Sequence, residues 1–439
     1  MAARQPPALV DELVEEILLH VPPDDPARLM RAAVACKPWC RLVCGPGFRR
    51  RFREHHGSPP LLGVVSNCMN EDGAKLARFV PTGSFRPRRA ELINWLAIDS
   101  RHGRVLLRSS FSGDHFNVAV WDPITDELLE LPATPWMPQI MHNYKGAVLC
   151  AADGCDHLDC HGKPFLVVFV GAASQCSKMS LSLHDPKLMM SSYVYSSEAN
   201  AWSGSAHHGY LGNLLQSVRS TLVENALYFV VNKSPGILKY NLGTRKMTTI
   251  RRPPMSNAHS ALMIAEGGGL GCAALTWSKI CLWSAEVGLD RDIRWVLGRT
   301  IELTRPVPAG HSICGFDVAA FADGSGIVHV ETNQGSFIAN LKSGEFSEVR
   351  GVNGTLDIFV PYMSFYTPAL QVAPIDEDPR AGESPALSSE VIKNLAPEAL
   401  SDEGLPRKKK LVEAIGQSKA TREDKDAKEK ANKSNSKQQ

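Results

Sequence analysis

No stretch of this 439-residue chain is both long and apolar enough to cross a membrane. The strongest apolar run, residues 165–173, is about half the ~18 residues a span needs and reads as a buried strand. Net charge is nearly absent too, at +2 overall, so no global field draws the chain to nucleic acid. Charged residues reach 21%, slightly below the globular norm, beside an ordinary apolar fraction of 44%. The eleven cysteines are odd in number and scattered. Near the start stand Pro6 and Pro7 and then an acidic helix, where a secretory signal would have a basic region and an apolar run. The expectation is therefore reduced thiols in the nucleus and/or cytoplasm. Catalytic signatures are also missing. There is no GxSxG elbow, no HExxH, and no cysteine in a convincing His and acid context. Gly267–Gly271 is glycine-rich but lacks the Lys-Ser/Thr of a phosphate loop, and reads as a hairpin turn. These absences predict a protein without an active site or cofactor.

What is present begins with a short helical stretch. Leu9, Leu13, Ile17 and Val21 recur every four residues, with Val14 and Leu18 beside them, which makes one wide apolar stripe. Asp11 is a candidate N-cap, with Glu12, Glu15 and Glu16 near the positive end of the dipole. Pro22 and Pro23 stop this helix. Asp25 and Pro26 open a second, whose apolar side is Leu29, Ala32, Ala33 and Cys36. Pro38 opens a third with Trp39, Leu42 and Val43 on one face, and Gly45–Gly47 end it. Three helices in about forty residues bury too little surface to stand alone, so the segment needs something to dock on.

The same residues carry a resemblance. The Asp11-Glu12-Leu13 start, Ile17-Leu18, the run Val34-Ala35-Cys36-Lys37 followed by Trp39, and Leu42 are similar to an F-box, the adaptor-binding motif of substrate receptors in SCF-type cullin–RING ubiquitin ligases. Phe48 and Phe52 fit its apolar tail. Val10 stands where the family usually has proline, and Pro26 where it often has an apolar residue. The resemblance covers roughly a tenth of the chain. It implies that Leu9, Leu13, Ile17, Leu18, Val21, Leu29, Cys36, Trp39 and Leu42 contact a Skp-family adaptor, and through it a cullin and a RING protein.

From about residue 60 to 370 the texture changes to short β-type runs separated by turns. A strand ending in Trp, Tyr or Asn, a polar turn and a second strand recur around Trp121, Tyr195, Tyr240, Trp283 and Asn340. Their spacing predicts a propeller of about six blades. The Trp121-Asp122-Pro123 turn also resembles the kelch-like propellers attached to many plant F-box proteins. The predicted fold class is α+β and multidomain: a small three-helix F-box (5–54), an all-β propeller (60–370), and a linker with a disordered basic tail (375–439). The tail carries a short helical pattern at 387–400 and a basic run, Arg407, Lys408, Lys409 and Lys410, that is a nuclear-localisation candidate.

Three further clusters carry potential ligands or charge. Cys155, His157, Cys160 and His161 are four potential zinc ligands, but all come from one tight loop where zinc knuckles usually supply ligands from two separated places. The expectation is a polar inter-strand loop and no metal. His207-His208-Gly209 reads as a blade-edge loop, and Arg49–Arg51 with Arg53 as a solvated helix end. The function predicted is substrate recognition for an SCF-type ubiquitin ligase, without chemistry of its own. The alternatives are a propeller scaffold outside ubiquitination and a propeller enzyme.

Overall fold

The computed structural model describes residues 10–110, 117–134, 141–174, 188–208, 219–231, 236–254, 259–276, 279–287, 293–303, 313–320, 326–332, 335–341, 344–348 and 359–367. The chain divides into two compact units. The first takes the chain up to Pro60, Gly83–Phe85 and the stretch from Phe365, and the second takes Leu61–Thr82 and Arg86–Ser364.

The first unit is helical. Helix α1 (Asp11–Leu19) begins one residue earlier than its carboxylates suggest. Val10 is the extended N-cap, and Asp11 and Glu12 occupy the first turn, where their charge suits the dipole. Helix α2 (Pro26–Ala35) has proline at its first position, as its sequence predicts. Its capping is indirect. The Ala27 N–H donates to Ser84 Oγ at 3.1 Å, and Ser84 Oγ donates to Asp25 Oδ1 at 2.7 Å. Helix α3 (Lys37–Cys44) stops at Gly45, which is extended, and Pro46 then opens a further helix, α4 (Pro46–His56). Four helices thus replace the three predicted, because the Gly-Pro-Gly stretch that reads as a stop is also a start. Phe48 and Phe52 are buried on α4 with ring centroids 5.8 Å apart. The arginines between them are mid-helix and not a frayed end. Arg51 pairs with Glu15 at 2.8 Å and reaches Glu16 at 3.9 Å, and Arg50 pairs with Glu54 at 3.6 Å. The Arg51 pairs join α4 to α1 and Arg50–Glu54 lies within α4, and being partly exposed each adds little stability.

The second unit is a β-propeller of four-stranded antiparallel sheets. Strands β1 (Leu61–Met69), β2 (Lys75–Pro81) and β3 (Glu91–Ile93) come first, then β4 (Trp95–Arg101), β5 (Arg104–Ser109), β6 (Val118–Asp122) and β7 (Glu127–Glu130). The next sheet is β8 (Met141–Cys150), β9 (Phe165–Ser174), β10 (Leu188–Ser196) and β11 (Ala201–His208). It is followed by β12 (Thr221–Val223), β13 (Ala226–Val230), β14 (Gly236–Asn241) and β15 (Met247–Arg251). Then come β16 (His259–Ile264), β17 (Leu270–Leu275), β18 (Lys279–Val287) and β19 (Ile293–Glu302). The last full set is β20 (Ile313–Ala320), β21 (Ile327–Thr332), β22 (Gly335–Asn340) and β23 (Phe346–Glu348), before a lone β24 (Phe359–Met363).

The predicted count of about six repeating blades is corrected here. Five sheets are built from four consecutive strands each. The remaining strands do not make a repeat of that kind. Late strand β24 pairs antiparallel with β1, with Val65 opposite Val360, and the order is β24-β1-β2-β3. The recurring anchors Trp121, Tyr195, Tyr240, Trp283 and Asn340 lie on β6, β10, β14, β18 and β22, the third strand of each of those five sheets. Dividing length by period could not reveal that the two ends of the β region share one closing sheet. First strands meet around the centre: β24 touches β4, β4 touches β8, β12 touches β16, and β16 touches β20.

Apolar clusters fill the spaces between sheets. One joins Val168 and Val170 of β9 to Leu227 and Phe229 of β13, and another joins Leu275 and Ile280 to Val328 and Val330. Strands buried on both faces explain the unbroken apolar run on β9. The hairpins after Trp121 and Tyr195 are held locally. Trp121 Nε1 donates to Asp126 Oδ1 at 3.4 Å, and the Tyr195 hydroxyl donates to Asn200 Oδ1 at 2.9 Å. Asp126 and Asn200 each have positive φ (60° and 47°), a conformation Asp and Asn tolerate better than most residues.

Candidate functional site

The residues expected to meet an adaptor separate by exposure. Leu13 is 54% exposed, and Val10, one helical turn earlier, is 56% exposed. Ile17, Cys36 and Leu42 are half-buried, while Leu18, Val21, Leu29 and Trp39 are buried. Leu9 lies outside the described residues. Seven of the nine candidates thus pack wholly or partly for the unit's own fold. Val10 and Leu13 are the large apolar side chains left open among the described residues of the helices. In the sequence Val10 is a departure from the F-box pattern, which does not announce its exposure. Its place at the first turn, beside Leu13, is the signal that could have found it. The basic run Arg407–Lys410 and the 387–400 helical pattern also lie outside the described residues.

Two other expectations resolve plainly. Gly267–Gly271 closes the β16–β17 hairpin through Gly268 N–H to Ala265 O (2.8 Å), with Gly268 at φ +83°. His207 and His208 are not in a loop. They sit at the end of outer strand β11, paired with Ser191 and Met190.

Near the centre, Asp99 on β4 is fully buried. It accepts the Val148 N–H of β8 at 2.9 Å and bonds Arg101, while Arg219 stands 3.8 Å away. Arg101 also bonds Ser220 just before β12. One carboxylate thereby ties three sheets, a role its lone position in sequence does not announce.

The cysteine- and histidine-rich stretch between β8 and β9 is arranged differently from its sequence reading. Cys150, the last residue of β8, joins Cys155, His157 and Cys160, and the ligand atoms of all four lie within 4.8 Å of one another. Cys155 Sγ and Cys160 Sγ are 3.7 Å apart, and Cys160 Sγ is 3.7 Å from His157 Nδ1. His161 turns away. Its Nδ1 donates to Asp122 Oδ2 at 2.5 Å and its Nε2 meets Ser364 Oγ at 3.1 Å. The loop reaches this shape through left-handed backbone at Gly154, His157 and Gly162.

The surroundings hold the cluster in place. The Cys150 N–H donates to His102 Nδ1 at 2.9 Å, and the His102 ring stacks on His157 with centroids 4.1 Å apart. Burial, with help from His157 and two arginines, pushes His102 down to about 3, so its ring stays neutral. Buried Arg104 of β5 donates to Cys160 O at 2.6 Å and Lys163 O at 2.5 Å. Lys163 Nζ donates to Cys155 Sγ at 3.3 Å. Burial raises the Cys155 thiol, but the His157 N–H, Lys163 and the neighbouring thiols together hold it below its ordinary value. Burial first, and Cys150 next, push Cys160 up, and burial lowers His157.

No family model matches the chain, and no curated protein matches it. Solved structures similar to it include TolB from Acinetobacter baumannii (11% identity, 71% of this chain and 69% of that one, TM-score 0.35). A functionally unknown protein from Desulfotomaculum acetoxidans DSM 771 is another (10% identity, 69% and 89%, TM-score 0.39). A nidogen/laminin complex is a third (8% identity, 69% and 99%, TM-score 0.40). Likenesses this distant say nothing of ligand or activity.

Proposed function

We propose that the protein is a substrate-recognition subunit of an SCF-type ubiquitin ligase. The F-box-like helices bind a Skp-family adaptor, and the propeller binds the protein to be modified. The observation that carries this reading is the pair Val10 and Leu13, apolar and more than half exposed at the start of α1, within a segment whose spacing resembles an F-box. Covering an exposed leucine is worth about 1.5–3 kcal/mol, so one such contact shifts affinity by tenfold or more. The propeller's contribution is one of proximity. A target held near a ubiquitin-loaded enzyme presents its lysines at high effective concentration. No group on this chain then needs to do chemistry. The cullin and RING protein join only through the adaptor, and the work is done in the nucleus and/or cytoplasm.

The test is co-expression of the full chain with a Skp-family adaptor. The wild type should co-purify with it, and the double variant Leu13→Glu/Ile17→Glu should not, while its strand signal in circular dichroism is unchanged. Co-purification that survives the double change would remove this interface.

A further inference from the structure

We propose that Cys150, Cys155, His157 and Cys160 form a structural Zn²⁺ site that clasps the β8–β9 connection of the propeller. A loop-only cluster was the objection to zinc, and the strand residue Cys150 removes it. The ligands come from two places, the end of β8 and the 155–160 turn. Three thiolates and an imidazole are a recognised closed zinc set. With Zn–S near ~2.3 Å, a tetrahedron has S···S edges of about 3.8 Å and S···N edges slightly shorter. The observed 3.7 Å separations for Cys155–Cys160 and Cys160–His157 fit those edges.

Charge and support agree with the ligand set. Three thiolates around Zn²⁺ leave one net negative charge. Lys163 on Cys155 Sγ and Arg104 on the Cys160 carbonyl stand beside it. Three protons leave the thiols on binding, so that three thiolates and a neutral imidazole face the metal. His102 positions two ligands at once, through the Cys150 N–H and by stacking on His157. Outer contacts of this kind orient ligands in metal sites. His161 is committed to Asp122 and Ser364 and is not a ligand.

The full chain, purified without chelator under reducing conditions, should carry one zinc per chain by elemental analysis. Cobalt exchanged into it should give the ligand-field and thiolate charge-transfer bands of a tetrahedral sulfur-rich site. Cys150→Ser and Cys155→Ser should each lose most of the bound zinc, and His161→Asn should retain it. Chelation should lower the thermal midpoint of the wild type and leave that of Cys150→Ser unmoved. A wild-type chain that neither holds zinc nor shows cobalt bands would overturn the site, whatever the variants do. So would zinc retained in both cysteine variants, or a Cys155–Cys160 disulfide seen as the loss of two hydrogens by mass.

Discussion

The helical unit and the propeller treat their apolar side chains in opposite ways. In the propeller, the large side chains sit between sheets, and Trp121, Tyr195, Tyr240 and Phe229 are all but fully buried. Of its exposed large apolar residues, Ile93, Leu129, Val296 and Leu297 lie on the outer strands β3, β7 and β19, and Met69, Ile264 and Val287 are the last residues of β1, β16 and β18. The helices bury Leu18, Leu29 and Phe52 and yet leave Val10 and Leu13 adjacent and open at a helix start. A polar residue at either position would cost the helix nothing. The contrast teaches that the propeller's open apolar groups sit singly at sheet edges and strand ends, whereas the helical surface keeps a neighbouring pair that its own fold does not use.

The largest effect should come from breaking the propeller's own packing. Trp121→Ala removes a ring that packs edge-on to Phe79 and donates to Asp126. It should cost about 3–5 kcal/mol in denaturant unfolding followed by strand signal. An unshifted unfolding midpoint would mean that this buried ring does not carry the packing of its sheet. A smaller loss follows from Gly103→Ala. Gly103 has φ +75°, and an added Cβ would lie 2.8 Å from the His161 ring. Destabilisation of about 2 kcal/mol is expected, and His161→Ala should relieve part of it.

A gain comes next. Tyr240 is the third anchor of its kind, but Arg245 stands where Asp126 and Asn200 accept the earlier anchors' bonds, and the buried Tyr240 hydroxyl has no partner among the described residues. Arg245 also has positive φ, at 55°. Arg245→Asn should stabilise the propeller by about 1 kcal/mol, despite losing the exposed bond from Arg245 to Ser203. No gain in thermal midpoint would mean that the anchor-and-acceptor account of the hairpins is wrong.

The smallest effect belongs to the helices. Burial, with His55 nearby, lowers His56 below its ordinary value of 6.5. Below that value the unfolded chain takes up a proton more readily than the folded one, so stability falls as pH drops beneath about 6.5 and is constant above it. Helical signal followed from pH 8 to 5 should show this loss, and His56→Gln should flatten it.

Much of the propeller was legible because its signals are local. Alternation marked strands, and Trp121 and Tyr195 lie just before the turns that their side-chain polar atoms bond. The closing partnership of β1 and β24 was not legible, since nothing in either strand names a partner some three hundred residues away. In the helices the apolar spacing was plain, but spacing alone cannot say which face is spent internally. Leu18 and Leu13 belong to the same wide stripe and have opposite fates. At the cysteine cluster, nearness in sequence misled. His161 sits beside Cys160 and faces Asp122, while Cys150, on the preceding strand, completes the group.

The central claim is that the open start of α1 is completed by a second molecule. Hydrogen exchange on the full chain, with and without a saturating Skp-family adaptor, tests it most directly. The account predicts added protection across residues 10–19 and little change in the strands. Equal exchange of those residues with and without the adaptor would contradict it.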